Sequence, residues 1–271
     1  MNAPENKSLL PDIQSIADLR NLTIQRVGVK SVVFPVKIAG NGVGNTAVHA
    51  SVATIDMYVA LPPEAKGTHM SRFLEVLHDM DEPLSFSTMR QLMVKMLHRL
   101  DASSGYVEMR MPYFMMKTAP VSGVESLMDY QLTLKAEQKN GVLTYTQQVL
   151  VPVTSLCPCS KGISAYGAHN QRSHVTIAAQ LADDVPIDDL IRIAEAAASC
   201  ELYGLLKRPD EKYVTERAYD NPKFVEDLVR DIALALNGND RIVAYTVESE
   251  NFESIHNHSA YALIEHDKRL G

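Results

Sequence analysis

The chain has 271 residues, of which 46% are hydrophobic and 22% charged, with a formal net charge of −7 and a pI near 5.7. That is the composition of a soluble globular protein, long enough for one large domain or two ordinary ones. The acidic balance argues against a broad basic face for nucleic acid, though it leaves room for a local basic pocket that takes a small anion.

The opening stretch MNAPENKSLLPDIQS is polar and lacks the apolar core of a signal peptide, so residues 1–25 are expected to form a mobile arm. Val27–Val36 is rich in β-branched residues and reads as a strand ended by Pro35. Thr46–Leu61 alternates in part and stops at Pro62-Pro63, which predicts a second strand. Two helical patterns follow. Thr68 is the expected cap of the first, with Phe73, Leu74, Leu77 and Met80 on one face; Ser85 or Ser87 caps the second, with Met89, Leu92, Met93, Met96 and Leu100 at helical spacing. Gly105–Met116 alternates as a strand, and Tyr130–Glu137 and Val142–Val151 form a hairpin about Lys139-Asn140-Gly141.

The second half repeats this order. Ser173–Leu181 is strand-like, and Pro186 opens a long helix expected to reach about Lys207, holding Cys200 and carrying Glu201 on its apolar stripe. Asn221-Pro222 caps another helix that Gly238 closes, and Arg241–Glu248 and Ser259–Glu265 finish the chain as strands. Each half thus reads strand-strand-helix-helix-strand-strand, divided at 140/141. Two antiparallel sheets with paired helices on one face are left with an uncovered face, which predicts edge-to-edge joining and closure of an oligomeric barrel.

Most of the thiols sit together in LCPCSKGISAYGAHNQRSH, Leu156–His174, and the three cysteines are too few for a disulfide framework, fitting a reducing cytoplasm. A structural four-cysteine zinc site is excluded by count. Cys157 and Cys159, with His169 and His174 nearby, suit a metal site or a nucleophile; a loop with buried, unliganded thiols is the alternative. Glu250, Glu253, His256 and His258 make a second His/acid cluster, in which His256 and His258 share a strand face, or else a polar turn. Glu211 by itself reads as surface, and Glu226 as compensation for a helix dipole. Lys66 and Arg72, at a likely helix start, suit a phosphate or plain capping.

The blocks CPCSKGISAYGAHNQRSH, CELYGLLKRPDEKYVTERAYDNPKFVEDLVRD and KGTHMSRF closely resemble GTP cyclohydrolase IB, from about Arg26 to the C-terminus. The resemblance implies an α+β protein of two tandem tunnelling-fold modules, 26–140 and 141–271, assembled as a cytoplasmic homotetramer with no membrane or nucleic-acid partner. It implies a substrate, GTP, converted with a divalent metal ion (zinc, manganese or iron) to 7,8-dihydroneopterin triphosphate and formate, the first step of tetrahydrofolate synthesis. Carried over by motif, Cys157 is the active-site thiolate and a metal ligand, with His169, Glu211 and His256 completing the metal set. His256 is expected to act as acid/base, with Glu253 beside it as a further candidate. Glu226 matches the glutamate that anchors guanine, whose N1–H and N2–H₂ donors suit two carboxylate oxygens. Lys66, Arg72 or Arg172 would hold the triphosphate. Three other readings stay open: an archaeal relative forming a cyclic phosphate, a nitrile-reducing enzyme of the same fold whose E-S-K-S-x-K type motif is absent here, and a non-enzymatic metal-binding assembly protein.

Overall fold

A computed structural model describes residues 14, 16–39 and 48–270. Most of the expected arm lies outside the described residues; within them Asp18 N–H donates to the Glu64 carbonyl at 2.8 Å. In chain order the elements are β1 (Ile24–Ala39), β2 (Val48–Leu61), α1 (Ser71–His78), α2 (Phe86–Leu100), β3 (Gly105–Thr118), β4 (Glu125–Lys139) and β5 (Val142–Leu156). Then come α3 (Pro158–Ile163), β6 (Asn170–Leu181), α4 (Ile187–Ala197), β7 (Cys200–Glu201), α5 (Arg208–Asp220), α6 (Val225–Asn237), β8 (Ile242–Asn251) and β9 (Ala260–Asp267).

All strands join one antiparallel nine-stranded sheet in the order β1-β2-β3-β4-β5-β6-β8-β9, with the two-residue β7 on β5. The two halves are therefore a single sheet, made continuous inside the chain by the β4–β5 hairpin. Its turn holds Asn140 at φ 52° and Gly141 at φ 77°, left-handed values that asparagine and glycine tolerate best. Pro35 does not end β1, which runs on to Ala39; β1 is an edge strand, where a residue without an N–H leaves no ladder partner unsatisfied.

Alternation decides which face carries the helices. On β3, Val107, Met109, Met111, Tyr113 and Met115 are buried under them, while Glu108 and Arg110 look the other way. Helix α2 begins as a capping box, Ser85 Oγ accepting the Thr88 N–H at 3.3 Å and Thr88 Oγ1 accepting the Ser85 N–H at 2.7 Å. Its Met89, Met93 and Met96 are fully buried in a core that runs the length of the sheet. Thr68 does not cap α1, whose preceding residue is Met70 with no side-chain cap. On the opposite face Val33, Val52, Tyr261 and Leu263 are exposed.

The long helix expected from Pro186 to Lys207 is corrected. It stops at Ala197, and Cys200–Glu201 becomes β7, paired with Val153 and Thr154 of β5. The cause is tertiary. Strand β4 pairs with β5 only as far as Gln131↔Leu150, which leaves the rest of β5 with a free edge, and the chain after α4 fills it. Gly204 then lies so close to β4 that a Cβ would stand 2.3 Å from the Leu127 carbonyl oxygen, so only glycine fits. Glu201 is accordingly a strand residue and not part of a helix stripe.

Candidate active site

Cys157 is the residue just before α3, half-buried, with Pro158 opening the helix. Its position is set by backbone bonds on both sides. The Leu156 N–H donates to Ser199 Oγ at 3.1 Å, and the Leu156 carbonyl accepts the Lys223 N–H at 3.1 Å, clamping the end of β5 between the exit of α4 and the entry of α6. The Cys157 N–H donates to the His169 carbonyl at 3.2 Å, and the His169 N–H donates to Ser160 Oγ at 3.2 Å, so the loop closes on itself and holds thiol and imidazole on one short segment. The His169 ring is fixed through Nδ1, 2.9 Å from Gln171 Oε1. Cys159 is exposed, and Cys200 is buried against the core in β7.

The second cluster lies on the β8–β9 connection, which is a loop where a strand face was expected for His256 and His258. The contact survives the change of backbone: His256 Nδ1 is hydrogen bonded to Glu253 Oε2, and the His256 and His258 rings stack at 5.1 Å. One donor atom from each of Glu253, His256 and His258 lies within 4.8 Å of the others, the one such cluster among the described residues. Sequence reasoning counted His258 in this cluster without giving it a role. The loop is anchored to β6, since the Phe252 N–H donates to the Arg172 carbonyl at 3.0 Å and the Phe252 ring packs edge-on to His174 at 4.8 Å.

Both loops leave the same end of the sheet, because Leu156 pairs with Asn170 and Ser173 pairs with Asn251. Glu226 belongs to this end, in the first turn of α6, three residues after the Lys223 that bonds Leu156. On β6, Arg172 and His174 line a cleft of about 440 Å³ with Asp129, Gln131, Tyr130 and Tyr203.

Other expected residues stand apart within the chain. The donors of Cys157, His169 and Glu211 do not join the histidine cluster. Glu211 is exposed, one turn into α5, whose far end meets the thiol loop through Lys161 Nζ over the Tyr219 ring at 4.2 Å. The eight helical steps from Glu211 to Tyr219 span about 12 Å. Its neighbour Asp210 is the anchor of α5: it accepts the Val121, Ser122 and Lys207 N–H groups, each at 2.8 Å, and the Ser122 hydroxyl at 2.6 Å. Desolvation opposes its charge, but these donors together hold its carboxyl well below the usual range. Lys66 and Arg72 sit on the β2–α1 side, where Arg72 lines a separate cleft with Thr68 and Asp101. Strand β2 is four strands from β6, roughly 19 Å across the sheet.

Residues 10–262 match the family described as type I GTP cyclohydrolase folE2. A protein named GTP cyclohydrolase FolE2 from Herminiimonas arsenicoxydans is 62% identical over 263 residues, covering 97% of this chain and 99% of its own. The protein of that name from Paraburkholderia phymatum is 59% identical over 270 residues, covering 100% of both. Among solved structures, a hyperthermostable urate oxidase mutant from Bacillus sp. TB-90 superposes with a TM-score of 0.54 at 7% identity, covering 91% of this chain and 99% of that one. At that identity the likeness shows the fold, a tunnelling fold of α+β type, and nothing of the chemistry.

Proposed function

Because the chain belongs to the type I GTP cyclohydrolase family, in its FolE2 branch, we propose that the loops at the β5–β6 and β8–β9 end of the sheet carry its reaction. The enzyme hydrolyses and rearranges GTP to 7,8-dihydroneopterin triphosphate and formate, opening tetrahydrofolate synthesis. The observation that carries the placement is the convergence of Cys157, His169, Glu226 and the Glu253–His256–His258 cluster at one end of one sheet.

The problem is to attack C8 of an electron-rich purine. His256 is held through Nδ1 by Glu253, which fixes the ring and leaves Nε2 to exchange a proton with the substrate. A proton delivered to N7 of guanine makes C8 electrophilic. Water adds there, the C8–N9 bond breaks to leave a formamide, and hydrolysis of the formamide releases formate. Ribose opening, an Amadori rearrangement and reclosure complete the pterin. Glu226 accepts the N1–H and N2–H₂ donors of guanine and rejects adenine, which offers an acceptor at N1.

The family is metal-dependent, and two imidazoles with a carboxylate gathered within 4.8 Å suit a divalent ion. Glu253 and His258 would hold it, with His256 beside it as the acid/base, and the family resemblance adds Cys157, His169 and Glu211; zinc, manganese and iron all suit such a set. When bound, the ion supplies Lewis-acid activation of water at neutral pH. Arg172, on the cleft wall, takes the triphosphate, with Lys66 and Arg72 brought to it from another copy of the chain. The exposed apolar positions on the open face and the outer edges of β1 and β9, unpaired among the described residues except where Leu84 meets β1 at Ile38, support a homotetramer that does this. Its modules are 26–140 and 141–271. Three free cysteines fit a reducing cytoplasm, and no helix among the described residues is long and apolar enough to cross a membrane.

The test is GTP incubation with metal-stripped and metal-restored protein, followed by formate and by pterin fluorescence. Turnover that returns with the metal, and a product keeping all three phosphates, is expected; formate release indifferent to metal, or a cyclic phosphate product, overturns the reading.

A further inference from the structure

Strand β3 places Lys117 on its helix-covered face, two residues beyond Met115, where the alternation calls for an apolar side chain. Lys117 is only 7% exposed. It stands between two carboxylates from the second half of the chain: Nζ lies 2.8 Å from Glu195 Oε2 on α4 and is hydrogen bonded to Glu201 Oε2 on β7. Two tyrosines complete the group. The Tyr130 hydroxyl donates to Glu195 Oε1 at 2.7 Å and the Tyr203 hydroxyl to Glu201 Oε1 at 2.8 Å, while Nζ lies 5.1 Å from the centre of the Tyr203 ring. A lysine buried between two carboxylates is an expensive way to hold a core together, since apolar residues of equal volume serve as well or better. Its use must be sought in what it holds.

What it holds is the wedge Cys200–Gly204. This segment is inserted in the plane of the sheet, between β5, with which it pairs at Val153 and Thr154, and β4, which Gly204 approaches at Leu127. Tyr130 and Tyr203 are the members of the group that also line the 440 Å³ cleft, together with Arg172 and His174. The lysine therefore ties, from beneath, the segment whose side chain forms part of the cleft wall. Burial pushes the Glu195 carboxyl up, only partly offset by Lys117 and Tyr130; at Glu201 burial is outweighed by Lys117 and Tyr203, and its carboxyl is held down.

We propose that Lys117, acting through Glu201, is a positioning residue that sets Tyr203 against the nucleotide in this cleft and so governs affinity for GTP. The proposal rests on the cyclohydrolase reading for the identity of the nucleotide. Tyr203 is the group that meets the substrate; Lys117 and Glu201 act only through it.

The test compares Glu201→Gln, Tyr203→Phe, their double variant, Lys117→Arg and Lys117→Met with the metal-loaded wild-type enzyme, measuring KM, kcat, the equilibrium Kd for GTP and Tm. Met93→Ala, in the α2 core, serves as a control that lowers Tm without touching the cleft. The expected result is a rise of about tenfold in KM and Kd for Glu201→Gln and for Tyr203→Phe, with kcat changed by less than about threefold. The double variant should be no worse than either single one, because both break the same link. Lys117→Arg should keep affinity better than Lys117→Met. Variants that lower Tm but leave KM and Kd at the wild-type value, as Met93→Ala does, overturn the proposal, as do fully additive effects. If Lys117→Met does not fold, the Glu201 and Tyr203 variants decide alone. A wild-type protein that binds GTP without releasing formate overturns the cyclohydrolase reading but leaves the Kd comparison to judge the positioning role; one that neither binds nor turns over GTP overturns both.

Discussion

In the first half of the chain, β1–β2, the pair α1–α2 and β3–β4 follow one another without further elements, and α2 seals its side with Met89, Met93 and Met96, all fully buried. The second half keeps the same order and interrupts it twice. Helix α3 and its loop separate β5 from β6, and β7 with α5 separates α4 from α6. Several residues with a chemical claim sit in those interruptions or at their borders, Cys157 and His169 in the first, Tyr203 and Glu211 in the second and Glu226 just after it, while Glu253, His256 and His258 lie on the β8–β9 connection of the same half. The repeated order is an apolar scaffold that buries itself; the additions present polar side chains at one sheet end, where no core demands their place. Folding and chemistry have been given to different segments, and the two can be disturbed separately.

The sharpest break is Cys157→Ala. It alters one atom at a half-buried loop position, so the fold and Tm should hold while formate release disappears; turnover that survives removes Cys157 from the chemistry. Next, Glu226→Gln should raise KM for GTP by roughly tenfold to a hundredfold, the range for losing a charge-assisted pair, and relax the preference for guanine. An unchanged nucleotide preference would take guanine recognition away from α6. On the other side of the comparison, Met93→Ala in the first-half core should lower stability by about 2–5 kcal/mol in chemical denaturation, with KM unaltered at a temperature where the protein stays folded. A shift in KM there would show that scaffold and site are coupled after all.

The smallest effect concerns His49 on β2, 9% exposed and edge-on to Tyr113 at 5.0 Å. Burial pushes its imidazole below the ordinary value, and the charge of Asp188 only partly opposes this. With the folded value below the unfolded one near 6.5, the unfolded chain takes up the extra proton as pH falls. The contribution of His49 to stability is thus whole above about pH 6.5 and lost on acidification below it. Tm measured between about pH 7.5 and about pH 5.5 should fall more in the wild type than in His49→Phe; parallel curves would remove His49 from the pH response.

Much of the scaffold was legible because it obeys local rules. The alternation of β3 and the Asn140-Gly141 turn each arise from a few neighbouring residues and are as expected, and of the two caps offered, Ser85 and Ser87, Ser85 is the one used. The errors fell where distant segments decide. The run after Pro186 has helical spacing through Glu201, yet the free edge of β5 and the Lys117 ammonium claim Cys200–Glu201 for a strand. Asp210 passed unnoticed beside Glu211, because its four donors come largely from a turn some ninety positions earlier in the chain.

Hydrophobic periodicity and turn chemistry act within a few residues, so the repeated strand-strand-helix-helix-strand-strand order was legible in the amino acids alone, whereas α3, β7 and α5 were not. The family, too, could be read from contiguous blocks. Only the folded chain decided that Lys117 has two carboxylates to answer it, and that His256 and His258 meet on a loop and not on a strand. The reason is physical. A backbone edge or a buried charge has no preferred neighbour until packing brings one within hydrogen-bonding range, and a linear reading contains no such distances.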